Sequence, residues 1–236
     1  MNKRDGIAAA ILAGGQSSRM GKDKALLELN GVPFIRRVAE VLSEEFTPVI
    51  VISDHNDRYN FLSLSVYEDE RKNCGPLGGI HTALKNVPTT RVFIASCDIP
   101  FINRYVLRHL LDARGEEDVT IFSTNGLPQP LFGLYDRRIL PALEEHLKSN
   151  RFSVLDFLGD VRTAHVTPPP DNIIAHALLN INTPAEYLQY CYETDPDRLD
   201  GLFKKFEALK RNDYPKAKHT VYVQSNGSAD SLSGDR

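Results

Sequence analysis

The segment Ile7-Ala8-Ala9-Ala10-Ile11-Leu12 runs without a polar residue into Ala13-Gly14-Gly15-Gln16-Ser17-Ser18-Arg19-Met20-Gly21-Lys22-Asp23-Lys24. A short apolar run ending on paired glycines reads as a strand buried on both faces, the mark of a parallel sheet. Similar runs recur at Val49–Ser53, Val92–Cys97 and Val119–Phe122. Between them Ile35, Val38, Ala39 and Leu42 repeat at helical spacing, as do Leu107, Leu110 and Leu111, and then Ile139, Leu143 and Leu147. Strand alternating with helix predicts a doubly wound α/β fold, a mostly parallel sheet with helices on both faces. Leu127–Tyr135, Thr163–Val166 and Ile173–Leu179 read as further strands of open direction, with Pro168, Pro169 and Pro170 as a turn between two of them.

The whole chain narrows the function classes. Its 236 residues fit one substantial domain with appendages, and 42% hydrophobic with 25% charged residues is ordinary for a globular protein. A formal net charge of −3 lacks the basic excess that nucleic-acid or membrane-surface binding needs. Cys74, Cys97 and Cys191 are odd in number and far apart, so they read as reduced thiols rather than zinc ligands or disulfides. Met1 to Gly15 imitates a secretory signal, but its apolar stretch is short and leads directly into Gly14, Gly15, Arg19 and Lys24. No other apolar run approaches the roughly 20 residues of a membrane span. A cytoplasmic protein is expected. Leu199, Leu202, Phe203 and Phe206 predict an amphipathic helical extension over residues 195–211, and the polar composition of 212–236 predicts a disordered tail.

The chemistry gathers at strand ends. The Gly14–Lys24 segment is neither a Walker A loop nor GxGxxG, since Gly15 and Gly21 are misplaced for the first and Asp23 stands where Ser or Thr belongs. It still outlines a phosphate site. Gly14 and Gly15 let backbone N–H groups approach a ligand, while Arg19 and Lys24 bring directed donors and positive charge. Asp98 follows the strand Val92–Cys97 and stands before Pro100, where a carboxylate suits Mg²⁺ or caps the next helix. Gly75-Pro76-Leu77-Gly78-Gly79 reads as a glycine loop before a helix through Ala83 and Leu84, with Asp69 in the charged run ahead of it. Cys97 reads as strand packing, and His81 as a helix-surface histidine.

Together the segments LAGGQSSRMGKDKALL, GPLGG at Gly75–Gly79, CDIP at Cys97–Pro100, PLFGLY at Pro130–Tyr135 and Asn180-Ile181-Asn182-Thr183-Pro184 resemble the molybdenum cofactor guanylyltransferase family, within the Rossmann-like α/β nucleotidyltransferases. The resemblance covers residues 6 to 192. It implies a Mg²⁺-dependent enzyme that transfers GMP from GTP to molybdopterin and releases pyrophosphate. Leu12, Ala13, Gly14 and Gly15 would hold the guanine nucleotide, Arg19 and Lys24 would contact its phosphates, and Asp69 would belong to the same nucleotide site. Asp98 would bind the metal. Asn180 and Asn182 would lie near the pterin, with Arg151 a candidate for its phosphate. Other cofactor-synthesis or molybdoenzyme-maturation proteins are implied as partners. The rival activities are a molybdopterin cytidylyltransferase, against which Gly15 argues, a sugar- or polyol-phosphate nucleotidyltransferase, and a non-catalytic nucleotide-binding regulator.

Overall fold

The computed structural model describes residues 6–14, 23–124, 126–169 and 172–194. Gly15, Arg19, the extension over 195–211 and the tail over 212–236 lie outside the described residues. The elements in chain order are β1 (Ile7–Leu12), β2 (Glu28–Leu29), β3 (Val32–Pro33), α1 (Phe34–Glu45), β4 (Val49–Ile52), β5 (Ser65–Tyr67), α2 (Gly75–Asn86) and β6 (Arg91–Ser96). There follow α3 (Arg104–Asp112), β7 (Val119–Thr124), β8 (Leu127–Asp136), α4 (Leu140–Lys148), α5 (Val154–Gly159), β9 (Thr163–Val166), α6 (Asn172–Ala177) and α7 (Pro184–Thr194). Three-residue 3₁₀ turns at Lys24–Leu26 and Arg137–Ile139 and a longer 3₁₀ stretch at Asn56–Leu62 complete the framework.

Among the described residues the main sheet has seven strands in the order β5-β4-β1-β6-β8-β7-β9. β1 pairs in parallel with β4 on one side and β6 on the other, and Leu12 stands opposite Ser96. β8 alone runs against its neighbours, β6 and β7, while β9 joins β7 in parallel. The chain leaves β1 towards β4 and β5, then returns to the far side of β1 to form β6. Such a reversal of strand order opens a crevice at the carboxyl ends of the two strands that flank it. β1 and β6 are those strands.

The sheet is covered on both faces, as its apolar strands require. Ala9, Ile11, Phe93 and Ala95 face a core shared with Ile35, Val38 and Leu42 of α1 and with Leu107 and Leu110 of α3. Ala8, Ala10, Leu12, Val92 and Ile94 face the opposite core, with Leu77, Ile80 and Leu84 of α2, Leu143 and Leu147 of α4 and Phe157 of α5. Successive residues of one strand thus serve alternate faces. Burial of each large aliphatic side chain contributes about 1.5–3 kcal/mol before entropy costs. A third cluster of Leu29, Phe34, Ile181, Tyr187 and Cys191 docks α7 and the segment before it beside β2.

Three expectations are corrected. Ile173–Leu179 is not a strand: α6 occupies Asn172–Ala177, and Ile174, Ala177 and Leu178 turn one helical face to the core. Pro168 and Pro169 therefore follow a strand and precede a helix. Gly75–Gly79 is not a loop but the first turns of α2, opened by Gly75 at φ +59°, with Pro76 in the first turn. His81 is on the buried face of α2, 2% exposed. Its helical spacing from Leu77 and Leu84 sets that side.

Gly133 in β8 stands opposite Ile94 and Ile121. A Cβ there would lie 2.5 Å from Ile121 Cγ2 and 3.0 Å from the Thr120 carbonyl oxygen. Gly133→Ala is therefore expected to cost about 1–3 kcal/mol, the usual penalty of overpacking. Urea denaturation would register this as a lower midpoint; an unchanged midpoint would contradict the packing described.

Candidate active site at the carboxyl ends of β1 and β6

β1 delivers Ala13 and Gly14 to the crevice. The Ala13 N–H donates to the Ile52 carbonyl and the Cys97 N–H to the Leu12 carbonyl, at 2.9 and 3.2 Å. The sheet ladder thus persists one residue past each strand, and Asp98 emerges beside Gly14. The carboxylate of Asp98 accepts a hydrogen bond from the Ser96 hydroxyl at Oδ1. It does not cap α3, because that N-cap is Asn103, whose side chain accepts from the Val106 N–H at 3.0 Å.

Lys24 reaches Asp98 from the other side. Its ammonium donates to Asn182 Oδ1 at 2.7 Å and lies 3.8 Å from Asp98 Oδ2. Lysine and aspartate side chains are 19% and 18% exposed, open enough for a ligand to reach and enclosed enough to hold position. Asp23 sets the turn that carries Lys24: its side chain accepts from the Ala25 N–H at 3.1 Å.

Asn182 is placed by a reciprocal cap. The Glu186 carboxylate accepts from the N–H groups of Asn182 and Thr183 at 2.7 and 3.0 Å. Thr183 Oγ1 accepts in return from the Glu186 N–H at 3.2 Å. This is a capping box that starts α7. The Ile181 N–H donates to the Asp98 carbonyl at 3.0 Å, tying that cap to the end of β6. The Asn-Ile-Asn-Thr-Pro motif thereby aims one asparagine at Lys24. The other, Asn180, is exposed.

Asp69 lies against Gly14, next to this group. An ideal Cβ on Gly14 would lie 3.7 Å from Asp69 Oδ2; one on Gly79 would lie 3.1 Å from Leu12 Cδ2 and 3.7 Å from Asp69 Oδ1. Gly14 thus brings its backbone up beside this carboxylate, and Gly79 lets α2 pack closely on Leu12 next to it. Asp69 Oδ1 is buried and has no hydrogen-bond partner among the described residues. Burial pushes its pKa up to about 6, with Asp54 adding to the rise and Lys72 and Thr82 opposing it. A buried acceptor without a donor is costly unless a ligand supplies one.

Three other residues singled out by the sequence have their own surroundings. Arg151 is held by the Asp160 carboxylate and by His146, which itself sits 2.6 Å from Asp160. Burial raises the Cys97 thiol well above its ordinary range, so it is inert packing. His81 lies 3.7 Å from Glu144, and burial lowers its pKa. Tyr59, Asp23 and Glu186 were not picked out from the sequence. Thr183-x-x-Glu186 carries a legible capping signature, whereas Tyr59 has no local signal. Among the described residues no helix is long and apolar enough to cross a membrane.

The sequence pattern described as the MobA-like NTP transferase domain matches residues 9–161. A Vibrio atlanticus protein named molybdenum cofactor guanylyltransferase is 35% identical over 183 residues, covering 76% of this chain and 93% of its own. A Carboxydothermus hydrogenoformans protein, named "Probable molybdenum cofactor guanylyltransferase", is 36% identical over 77% of this chain and 93% of its own. Among solved structures, an Aquifex aeolicus protein superposes with a TM-score of 0.66 at 31% identity, covering 75% of this chain and 93% of that one. Molybdopterin-guanine dinucleotide biosynthesis protein A from Archaeoglobus fulgidus shares the fold, with a TM-score of 0.65 at 23% identity over 78% of this chain and 96% of its own. This chain belongs to the MobA-like NTP transferase family.

Proposed function

We propose that this protein transfers GMP from GTP to molybdopterin, releasing pyrophosphate and forming molybdopterin guanine dinucleotide. The observation that carries this reading is the meeting of Lys24, Asp98 and Asn182 at the carboxyl ends of β1 and β6, beside the buried acceptor of Asp69. The names of its relatives support the same activity.

Guanine presents an N1–H and an N2–H on one edge, and a buried carboxylate is a fitting acceptor for that pair. Cytosine and adenine offer no such paired donors. Leu12, Ala13 and Gly14 would line the nucleotide, with the small Gly14 leaving room between backbone and base. Lys24 would turn its ammonium from Asn182 towards the triphosphate, and Arg19 would add a second cation. Asn182, released from Lys24, would face the incoming pterin together with Asn180.

The reaction is in-line attack by the terminal phosphate of molybdopterin on the α-phosphorus of GTP. One phosphorus–oxygen bond forms as the bond to pyrophosphate breaks. The attacking group is already an anion, so positioning and charge neutralisation dominate over general base catalysis. Asp98 is the residue that fits Mg²⁺: a single, partly exposed carboxylate at a strand end, next to a phosphate-seeking lysine. Among the described residues no three His, Cys, Asp or Glu side chains gather to cage an ion. Mg²⁺ commonly takes one or two carboxylates and completes its shell with phosphates and water. When bound, it would neutralise phosphate charge and hold the triphosphate in line.

Incubating the protein with molybdopterin, Mg²⁺ and each of the four nucleoside triphosphates, then weighing the products, tests the reading. The GMP adduct should form from GTP alone, and Asp98→Ala should slow it about a hundredfold or more without unfolding the protein. Equal or better turnover of CTP would replace the reading with cytidylyl transfer.

Asp69→Asn separates binding from stability. The carboxylate carries a burial penalty when ionised, fully present above its folded pKa of about 6 and fading towards the ordinary value of 3.8. The amide should therefore raise the melting temperature at pH 8, the gain shrinking as pH falls below 6, while GTP affinity drops. A variant that is less stable at pH 8 yet binds GTP normally would contradict both roles.

A further inference from the structure

Tyr59 lies in the 3₁₀ stretch Asn56–Leu62 that joins β4 to β5, and its ring is fully buried against the core behind β1. Its hydroxyl donates to Asp23 Oδ2 at 2.8 Å and stands 3.4 Å from the Ala13 carbonyl oxygen. With one proton to give, the short contact to the carboxylate is the firm bond, and the carbonyl is at the limit of hydrogen-bond distance. Asp23 divides its two oxygens. Oδ1 caps the 3₁₀ turn Lys24–Leu26, and Oδ2 takes Tyr59, with the half-exposed Arg58 a further 3.3 Å contact.

One phenol thus touches both flanks of the candidate site. Ala13 is followed by Gly14 at the exit of β1, and Asp23 is followed by Lys24. A phenylalanine would fill the same core space, so burial explains the ring but not the hydroxyl. Burial, then the hydrogen bond to Asp23 and its charge, hold the phenol well above its ordinary range, so it stays a donor at any working pH.

We propose that Tyr59 is a positioning residue for nucleotide binding: its hydroxyl fixes Asp23, and through Asp23 the turn that presents Lys24 to the triphosphate beside Asp98. The inference rests on the phosphate role of Lys24. Tyr59 touches neither substrate. It removes the freedom of the turn before GTP arrives, so less ordering remains to oppose binding.

The test is a double-mutant cycle on the full-length protein: Tyr59→Phe, Lys24→Ala and the pair. The readouts are GTP affinity by calorimetry in the presence of Mg²⁺ and steady-state GMP transfer to molybdopterin. Tyr59→Phe should raise the KM for GTP about tenfold with kcat changed by less than about threefold, the scale of one lost charge-assisted hydrogen bond. In the Lys24→Ala background the same substitution should alter GTP affinity by less than about twofold, because residues acting in series do not add. If Tyr59→Phe misfolds, Asp23→Ala removes the same bond together with the cap of the turn, and should raise the KM for GTP at least as much, again with little further effect in the Lys24→Ala background. Unchanged KM in a folded Tyr59→Phe protein, or an undiminished effect without Lys24, would overturn the positioning role alone. Unchanged GTP affinity in Lys24→Ala would overturn the phosphate role beneath it.

Discussion

The site depends on one contact: the Lys24 ammonium lodged between the Asn182 amide oxygen and the Asp98 carboxylate. Its three members come from the turn after β1, the end of β6 and the cap of α7. The contact itself contributes little to stability, since a partly exposed ion pair is worth about 0–1 kcal/mol. The dependence runs the other way. Parallel pairing of β1 with β6, Leu12 opposite Ser96, puts the two strand ends side by side. The cores on the two faces of the sheet then hold that register, because a one-residue slip would swap every side chain between them.

The site also stores cost. Asp69 keeps a buried oxygen without a donor, with the backbone of Gly14 and Gly79 close beside it. A sequence chosen for stability alone would pair or neutralise that group. Under the proposed function, a nucleotide base would supply the missing donor. The same logic gives Lys24 its resting partners. Asn182 and Asp98 satisfy the ammonium without burying it, so under the proposed function it would exchange them for phosphate oxygens at small cost.

Much of this was legible in the residues. Apolar runs marked β1, β4, β6 and β7 to within about a residue or two, since strands buried on both faces leave little room for polar interruption. Strand ends and charge drew attention to Lys24 and Asp98, and the family resemblance supplied their expected roles. Errors arose where local composition and tertiary context disagree. Ile173–Leu179 has a strand-like composition, yet one face of a short helix satisfies its apolar residues. Gly75–Gly79 reads as a loop by its glycines, but α2 packs so closely that a Cβ on Gly78 would lie 3.0 Å from Cys74 Cβ. The reverse direction of β8 leaves no trace in its own sequence, and neither does the meeting of Tyr59 with Asp23. Contacts across 36 positions of chain exist only once the sheet has formed.

The central claim is that one nucleotide spans Asp69 and the Lys24–Asp98 pair. The most direct measurement is a crystal structure with Mg²⁺ and a GTP analogue in which a methylene replaces the oxygen bridging the α- and β-phosphates. The account predicts the guanine edge on Asp69, the Lys24 ammonium moved from Asn182 to a phosphate oxygen, and Mg²⁺ shared between Asp98 and the phosphates. A nucleotide bound with Lys24 still on Asn182, or with its base away from Asp69, would contradict it.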